Sequence, residues 1–195
     1  MSGPVGLALM YSTLRRRPAP VRMDPGNQAA MGIDARGVKH VLGLWAGATE
    51  NATVVKTLLE ELVERGLSTE EPLLCVIDGS KALAAGIRRV LGARGRIQRC
   101  RIHKLRNVCD HLPKELQGQV RWRYRAALEA NDADLALKEL GQLAAWLEKH
   151  SVSAAASLRE GMEELVTLQR LGVRDLGLLR SLDRKSTRLN SSHRT

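Results

Sequence analysis

The sequence predicts an α/β fold, a small sheet with flanking helices followed by an all-helical subdomain, and three observations lead there. An uninterrupted apolar run, Leu73-Leu74-Cys75-Val76-Ile77, ends on Asp78-Gly79, the pattern of a strand buried on both faces. Helical periodicity flanks that run on both sides, which gives the alternating order of α/β proteins. Beyond Arg101 the texture changes to three well-capped helical stretches.

Taken in order, residues 1–30 scatter Pro18, Pro20, Pro25 and Gly26 among Arg15, Arg16 and Arg17 without periodicity. They are expected to form a poorly defined arm. Residues 29–33 and 38–46 are short apolar runs around Asp34-Ala35-Arg36-Gly37, the turn chemistry of a hairpin. Thr49 or Asn51 is placed to cap a helix in which Val54, Val55, Leu58, Leu59, Leu62 and Val63 recur at helical spacing. Arg65-Gly66 stops it. Ser80 opens a second helix reaching about Leu91, and residues 96–100 are a candidate strand. Residues 113–130, 132–149 and 153–171 read as three helices, with N-terminal signals at Asn131-Asp132 and residues 151–153. Leu135, Leu140, Leu143, Trp146 and Leu147 mark one core face, and Leu158, Met162, Leu165 and Leu168 another.

Composition narrows the class. The 195 residues are 44% hydrophobic but only 3% aromatic, without Phe, so Leu, Val, Ala and Ile must build the core. No apolar run is long enough to span a membrane, and the first ten residues lack the basic leader of a signal peptide. Cys75, Cys100 and Cys109 are an odd, sparse set, which fits a reducing compartment and a cytoplasmic place of action. The net charge is +10, of which residues 1–30 and 183–195 each carry +3.

Three features bear on chemistry. Asp78, at the C-terminal edge of a central strand, lies where open α/β sheets bind ligands, and its carboxylate suits a hard cation such as Mg²⁺. The same Asp-Gly-Ser is also ordinary turn and helix-capping chemistry. Between Asp78 and Asp110 there is no acid and there are nine bases: Lys81, Arg88, Arg89, Arg94, Arg96, Arg99, Arg101, Lys104 and Arg106. A one-sign stretch of this length repels itself unless a polyanion neutralises it. It has no interleaved aromatics, so base stacking is not expected there. Finally, Cys100 and His103, with Cys109 and His111 behind them, offer sulfur and imidazole. They read either as a zinc set or as a buried cysteine and a polar histidine.

Six blocks then resemble one family. Gly32-Ile33-Asp34, Val41-Leu42-Gly43-Leu44-Trp45, Thr49-Glu50-Asn51, Val76-Ile77-Asp78-Gly79, Gln98-Arg99-Cys100 with His103-Lys104-Leu105-Arg106-Asn107, and Ser157-Leu158-Arg159-Glu160-Gly161 are similar, in order and spacing, to Mutator-type insertion-sequence transposases. The resemblance covers about residues 31–182. It implies a partial ribonuclease-H-like core at 31–110, a mixed sheet with flanking helices, and an all-α insertion subdomain at 111–182.

Such enzymes hold divalent Mg²⁺ or Mn²⁺ on two aspartates and a glutamate for DNA strand cleavage and joining. Asp78 matches the second aspartate, hence a catalytic and metal ligand. Cys100 and His103 match a signature beside the active site. Lys81, Arg99, Arg101, Lys104 and Arg106 are the candidate nucleic-acid contacts. The implied partners are double-stranded DNA at transposon ends and a further copy or full-length transposase, without a membrane, in a bacterial nucleoid-associated setting.

The match departs from the family at both ends. Upstream of Gly32 the only acid is Asp24, beside Pro25, so the opening strand is expected to be lost or mistranslated, leaving an unpaired sheet edge prone to aggregation. Residues 183–195, beginning Asp183-Arg184-Lys185-Ser186-Thr187, resemble a translated sequencing adapter and stand where the third carboxylate belongs. Glu160, Glu163 and Glu164 read as helix-surface acids. With one matched carboxylate of three, the chain is expected to be a truncated, inactive transposase; the alternatives are a DNA-binding form without catalysis or an interaction module.

Overall fold

The computed structural model describes residues 6–11, 28–33, 39–45 and 52–172. Its sheet has five strands: β1 (Gly6–Tyr11), β2 (Gln28–Ile33), β3 (Lys39–Trp45), β4 (Leu73–Ile77) and β5 (Gly95–Arg99). Their order is β3-β2-β1-β4-β5, antiparallel from β3 to β1 and parallel from β1 to β5. The fold is therefore mixed α/β, as the alternation of elements predicts. The hairpin strands are present as β2 and β3; their turn at residues 34–38, like Thr49, Asn51 and residues 183–195, lies outside the described residues.

The arm expected over residues 1–30 is corrected in part. Gly6–Tyr11 forms β1 and pairs with both β2 and β4, so the edge expected to be unpaired is occupied. The run Gly6-Leu7-Ala8-Leu9-Met10 carries no acid, the marker that the motif resemblance leads one to expect of an opening strand. Apolar residues alone build this strand, and without its marker it is hard to recognise in the sequence.

Helices α1 (Ala52–Glu64) and α2 (Lys81–Leu91) cover one face of the sheet. Alternate β4 residues Leu73, Cys75 and Ile77 join Val55, Leu58, Leu59, Leu83 and Ile87 in one core, while Leu74 and Val76 are buried on the opposite face, as strand geometry requires. Burial pushes the Cys75 thiol up to about 12, leaving it an inert packing group. Close approach of the two helices depends on Gly86, where a Cβ would stand 2.4 Å from Val55 Cγ1.

A second core belongs to helices: α3 (Arg101–Cys109), α4 (Lys114–Glu129), α5 (Ala133–Glu148) and α6 (Val152–Arg159). Ser80, Asp132 and Ser151 cap α2, α5 and α6 as their sequence positions predict, each accepting from an amide three residues on. Periodicity marks no separate helix at α3, yet Leu105, Val108 and Cys109 bury one side of it in the helical core. Leu135, expected in that core, is half exposed in the first turn of α5. The helix expected over residues 153–171 is broken after Arg159. Gly161 there adopts φ +65°, and the chain continues as a 3-10 turn (Glu163–Val166) and a short α7 (Thr167–Arg170). This return segment covers the outer strand β5: Thr167 Oγ1 donates to the Ile97 carbonyl at 2.6 Å, and the Gln98 amide bridges Leu165 and Leu168.

Candidate functional site

The C-terminal ends of β4 and β5 and the start of α2 bring the candidate residues together. Asp78 follows β4, half-buried, and its Oδ1 accepts the Ser80 amide at 3.2 Å. Gly79 turns the chain at φ +114° into α2. The Cys100 amide donates to the Ile77 carbonyl at 2.7 Å, which sets Cys100 beside the Asp78 turn. His103, one turn into α3, brings Nδ1 to 3.2 Å from Cys100 Sγ. These two therefore form a pair at the site, while Cys109 is buried in the helical core and His111 is exposed. Among the described residues no group of three or more His, Cys, Asp or Glu is arranged to hold a metal.

The basic segment is sorted by the tertiary structure. Lys104 is fully buried, with Nζ donating to the Ser157 and Glu160 carbonyls at 2.6 Å each and to Glu160 Oε2 at 3.0 Å. Burial lowers its pKa, and the bond to Glu160 offsets part of that. Arg99, 6% exposed, donates from Nη2 to the same Glu160 oxygen at 3.0 Å and lies flat against Gly79. Arg101 donates to the Leu165 carbonyl and to Gln169 Oε1, and Tyr124 Oη donates to the Arg101 carbonyl.

Three of the five expected DNA contacts are thus pins inside the fold: Arg99 joins β5 to the end of α6, Lys104 joins α3 to the end of α6, and Arg101 joins α3 to the return segment. An ammonium with no exposed surface has no access to a phosphate. Lys81 and Arg106 remain exposed, together with Arg88, Arg89, Arg94 and Arg96.

Glu160 is the site residue that sequence reasoning misses by reading it as a surface acid. It ends α6, and its carboxylate is clamped between Arg99 and Lys104. The available signal is local: Glu-Gly at the end of a helix, inside the block Ser157-Leu158-Arg159-Glu160-Gly161. With Gly79, Lys81, Arg88, Arg99 and Glu164 it lines a cleft of about 360 Å³ at the mouth of the sheet.

Desolvation raises the Glu160 carboxyl, but the hydrogen bond and charge of Lys104 and the charge of Arg99 outweigh it, so its pKa lies below the usual 4.5. A depressed carboxylate stabilises the fold at pH above 4.5, and that contribution is lost as pH falls through the folded value. Acid unfolding of Glu160→Gln is accordingly expected to show a shallower pH dependence below 4.5 than wild type. Identical profiles followed by circular dichroism would contradict the clamp.

Comparison with known proteins points in one direction. Residues 10–190 match the sequence model of the family described as Transposase, Mutator family, extending beyond the 31–182 of the motif resemblance at both ends. The chain is 35% identical over 163 residues to the transposase for insertion sequence element ISRM5 of Rhizobium meliloti (strain 1021), covering 80% of this chain and 38% of that protein. It is 30% identical over 137 residues to the transposase for IS256 in transposon Tn4001 of Staphylococcus aureus, covering 69% and 34%. With the transposase for IST2 of Acidithiobacillus ferrooxidans it shares 28% over 136 residues, covering 70% and 45%. The chain spans less than half the length of each of these relatives.

Proposed function

The chain belongs to the Mutator family of transposases, and from that premise we propose that it is part of the DNA-processing core of an insertion-sequence transposase. The observation that carries this reading is the position of Asp78. It follows the central parallel strand β4, which lies between β1 and β5 in the order β3-β2-β1-β4-β5. Three antiparallel strands followed by two parallel ones, with helices on one face, support a ribonuclease-H-like core. The carboxyl ends of the strands are where open α/β sheets bind ligands, and in this reading DNA would approach there.

Among the described residues the site does not fit a pair of ions. Mg²⁺ or Mn²⁺ held between carboxylates would supply activation of the attacking oxygen and stabilisation of the leaving one. Asp78 is a suitable ligand, but β1 carries no acid. Met10 pairs with Ile77, so the next residue of β1, Tyr11, is level with Asp78. The carboxylate of Glu160 is committed to two cations.

The chain therefore acts as a DNA-binding transposase segment without strand cleavage of its own, able to compete for element ends or to pair with an intact copy. Cytoplasmic action on the nucleoid follows from that reading; among the described residues no helix is long and apolar enough to cross a membrane.

Duplex binding tests this directly. Affinity is expected to fall steeply with salt. Combining Lys81→Ala with Arg106→Ala should reduce the slope of log affinity against log salt by about 1.8, or roughly 0.9 for each phosphate left without its cation. Salt-independent binding would favour an interaction module instead. Nicking with Mg²⁺ or Mn²⁺ that Asp78→Ala abolishes would show the chain to be catalytically competent and overturn the inactive reading.

A further inference from the structure

Trp122 is 70% exposed, the most exposed large hydrophobic side chain among the described residues. Its surroundings keep the indole clear. Gly118 lies one turn before it, with nothing within 4 Å of where a Cβ would be, and exposed Ala126 lies one turn after. Exposed Arg121 and Arg125 stand at adjacent positions of the same helix surface, and Arg121 is steadied by Gln117 Oε1 at 3.1 Å. Between Glu115 and Glu129, near the two ends of α4, the helix carries Arg121, Arg123 and Arg125 and no acid. Trp146 makes the contrast: it stacks on His150 with ring centroids 4.0 Å apart, and Arg123 sits over it at 5.2 Å. Among the described residues no ring or cation is stacked on Trp122.

We propose that this face of α4 is a stacking platform for an unpaired base of a DNA strand, with Trp122 taking the base and Arg121 and Arg125 the flanking phosphates. An aromatic face beside cations is the chemistry that holds single strands without reading sequence. An apolar protein partner would gain little from one indole set between Gly118 and Ala126. A second copy docking symmetrically on the same face would set its arginines against their own images. The proposal rests on the DNA-processing reading above and adds a second point of attachment on the helical subdomain, distinct from Asp78.

Titration of the full chain with oligo(dT) and with a duplex of equal length tests it. Trp122→Ala is expected to weaken oligo(dT) binding about tenfold, the scale of a single base stack, with less than a twofold change for duplex. Trp122→Phe should retain most of the affinity and Trp122→Leu should behave like alanine. The exposed position keeps each variant folded, which circular dichroism verifies.

Unchanged oligo(dT) binding by Trp122→Ala overturns the platform while leaving duplex binding, and so the family reading, standing. Full retention by Trp122→Leu overturns stacking in favour of plain apolar contact. A wild-type dimer that Trp122→Ala dissolves in sedimentation assigns the face to a second copy. Absence of all DNA binding by wild type removes both readings together.

Discussion

Lys104→Ala is expected to cost about 3 kcal/mol of stability, from two part-buried carbonyls left without their ammonium at about 1 kcal/mol each plus the packing of the deleted alkyl stem. The side chain has no exposed surface, and its three bonds tie α3 to the last turn of α6. Glu160 is half exposed on its other side, so water can rehydrate its carboxylate. The ~3–5 kcal/mol that follows when a fully buried charge is stranded therefore does not apply. Lys104→Met separates the two contributions, because it restores the stem without the hydrogen bonds and should recover about a third of the deficit. Urea unfolding followed by circular dichroism measures both. An alanine variant as stable as wild type would mean that the ammonium is not part of the fold's interior.

Gly79→Ala should be at least as damaging, for a different reason. The residue sits at φ +114°, and an added Cβ would lie 1.9 Å from Arg99 Cζ and 2.1 Å from Nη2. Left-handed strain at a non-glycine residue costs about 1–3 kcal/mol, and forcing a side chain into a filled space costs a further ~1–3 kcal/mol. Arg99 has little freedom to move aside, since it is 6% exposed and held by Glu160 at 3.0 Å. Removing the guanidinium relieves only the clash. The double variant Gly79→Ala/Arg99→Ala should consequently be less destabilised than the sum of the singles, by on the order of 1–3 kcal/mol. Additivity within about 0.5 kcal/mol would show that Arg99 does not rest on the Asp78 turn.

Both experiments address the same contact, in which the turn carrying Asp78 is braced by Arg99, and Arg99 by Glu160 at the end of α6. Half of this contact is readable in the sequence. The apolar run of β4 specifies a buried strand, and Asp78-Gly79-Ser80 specifies a turn into a capped helix, because those signals act over a few residues. The other half is not readable. Arg99 and Glu160 are 61 residues apart and Lys104 and Glu160 are 56 apart, and nothing in either local stretch specifies that they meet. The acid-free run from Lys81 to Arg106 reads as one surface for a polyanion, yet it holds two populations. Lys81, Arg88, Arg89, Arg94, Arg96 and Arg106 face solvent, whereas Arg99 and Lys104 turn inward to the end of α6 and Arg101 to the return segment.

Other differences have the same origin. Gly161 breaks a stretch whose periodicity continues through Met162, Leu165 and Leu168, so the pattern alone implies one helix where the chain doubles back onto β5. The first strand escapes a motif-based reading because it carries no acid of the kind the resemblance leads one to expect, although it pairs with both neighbours.

By itself, then, the sequence determined the α/β order, the position of Asp78 at a strand end, the helix caps and, through its motif blocks, the family. Periodicity, capping and turn chemistry operate between near neighbours and are written locally. The tertiary structure alone decided which charges face solvent and which are buried as braces, that Glu160 lines the candidate site, and that Trp122 is exposed. Those outcomes depend on which distant segments pack over one another, and a basic side chain in sequence carries no mark of whether an acid or open water will lie beside it.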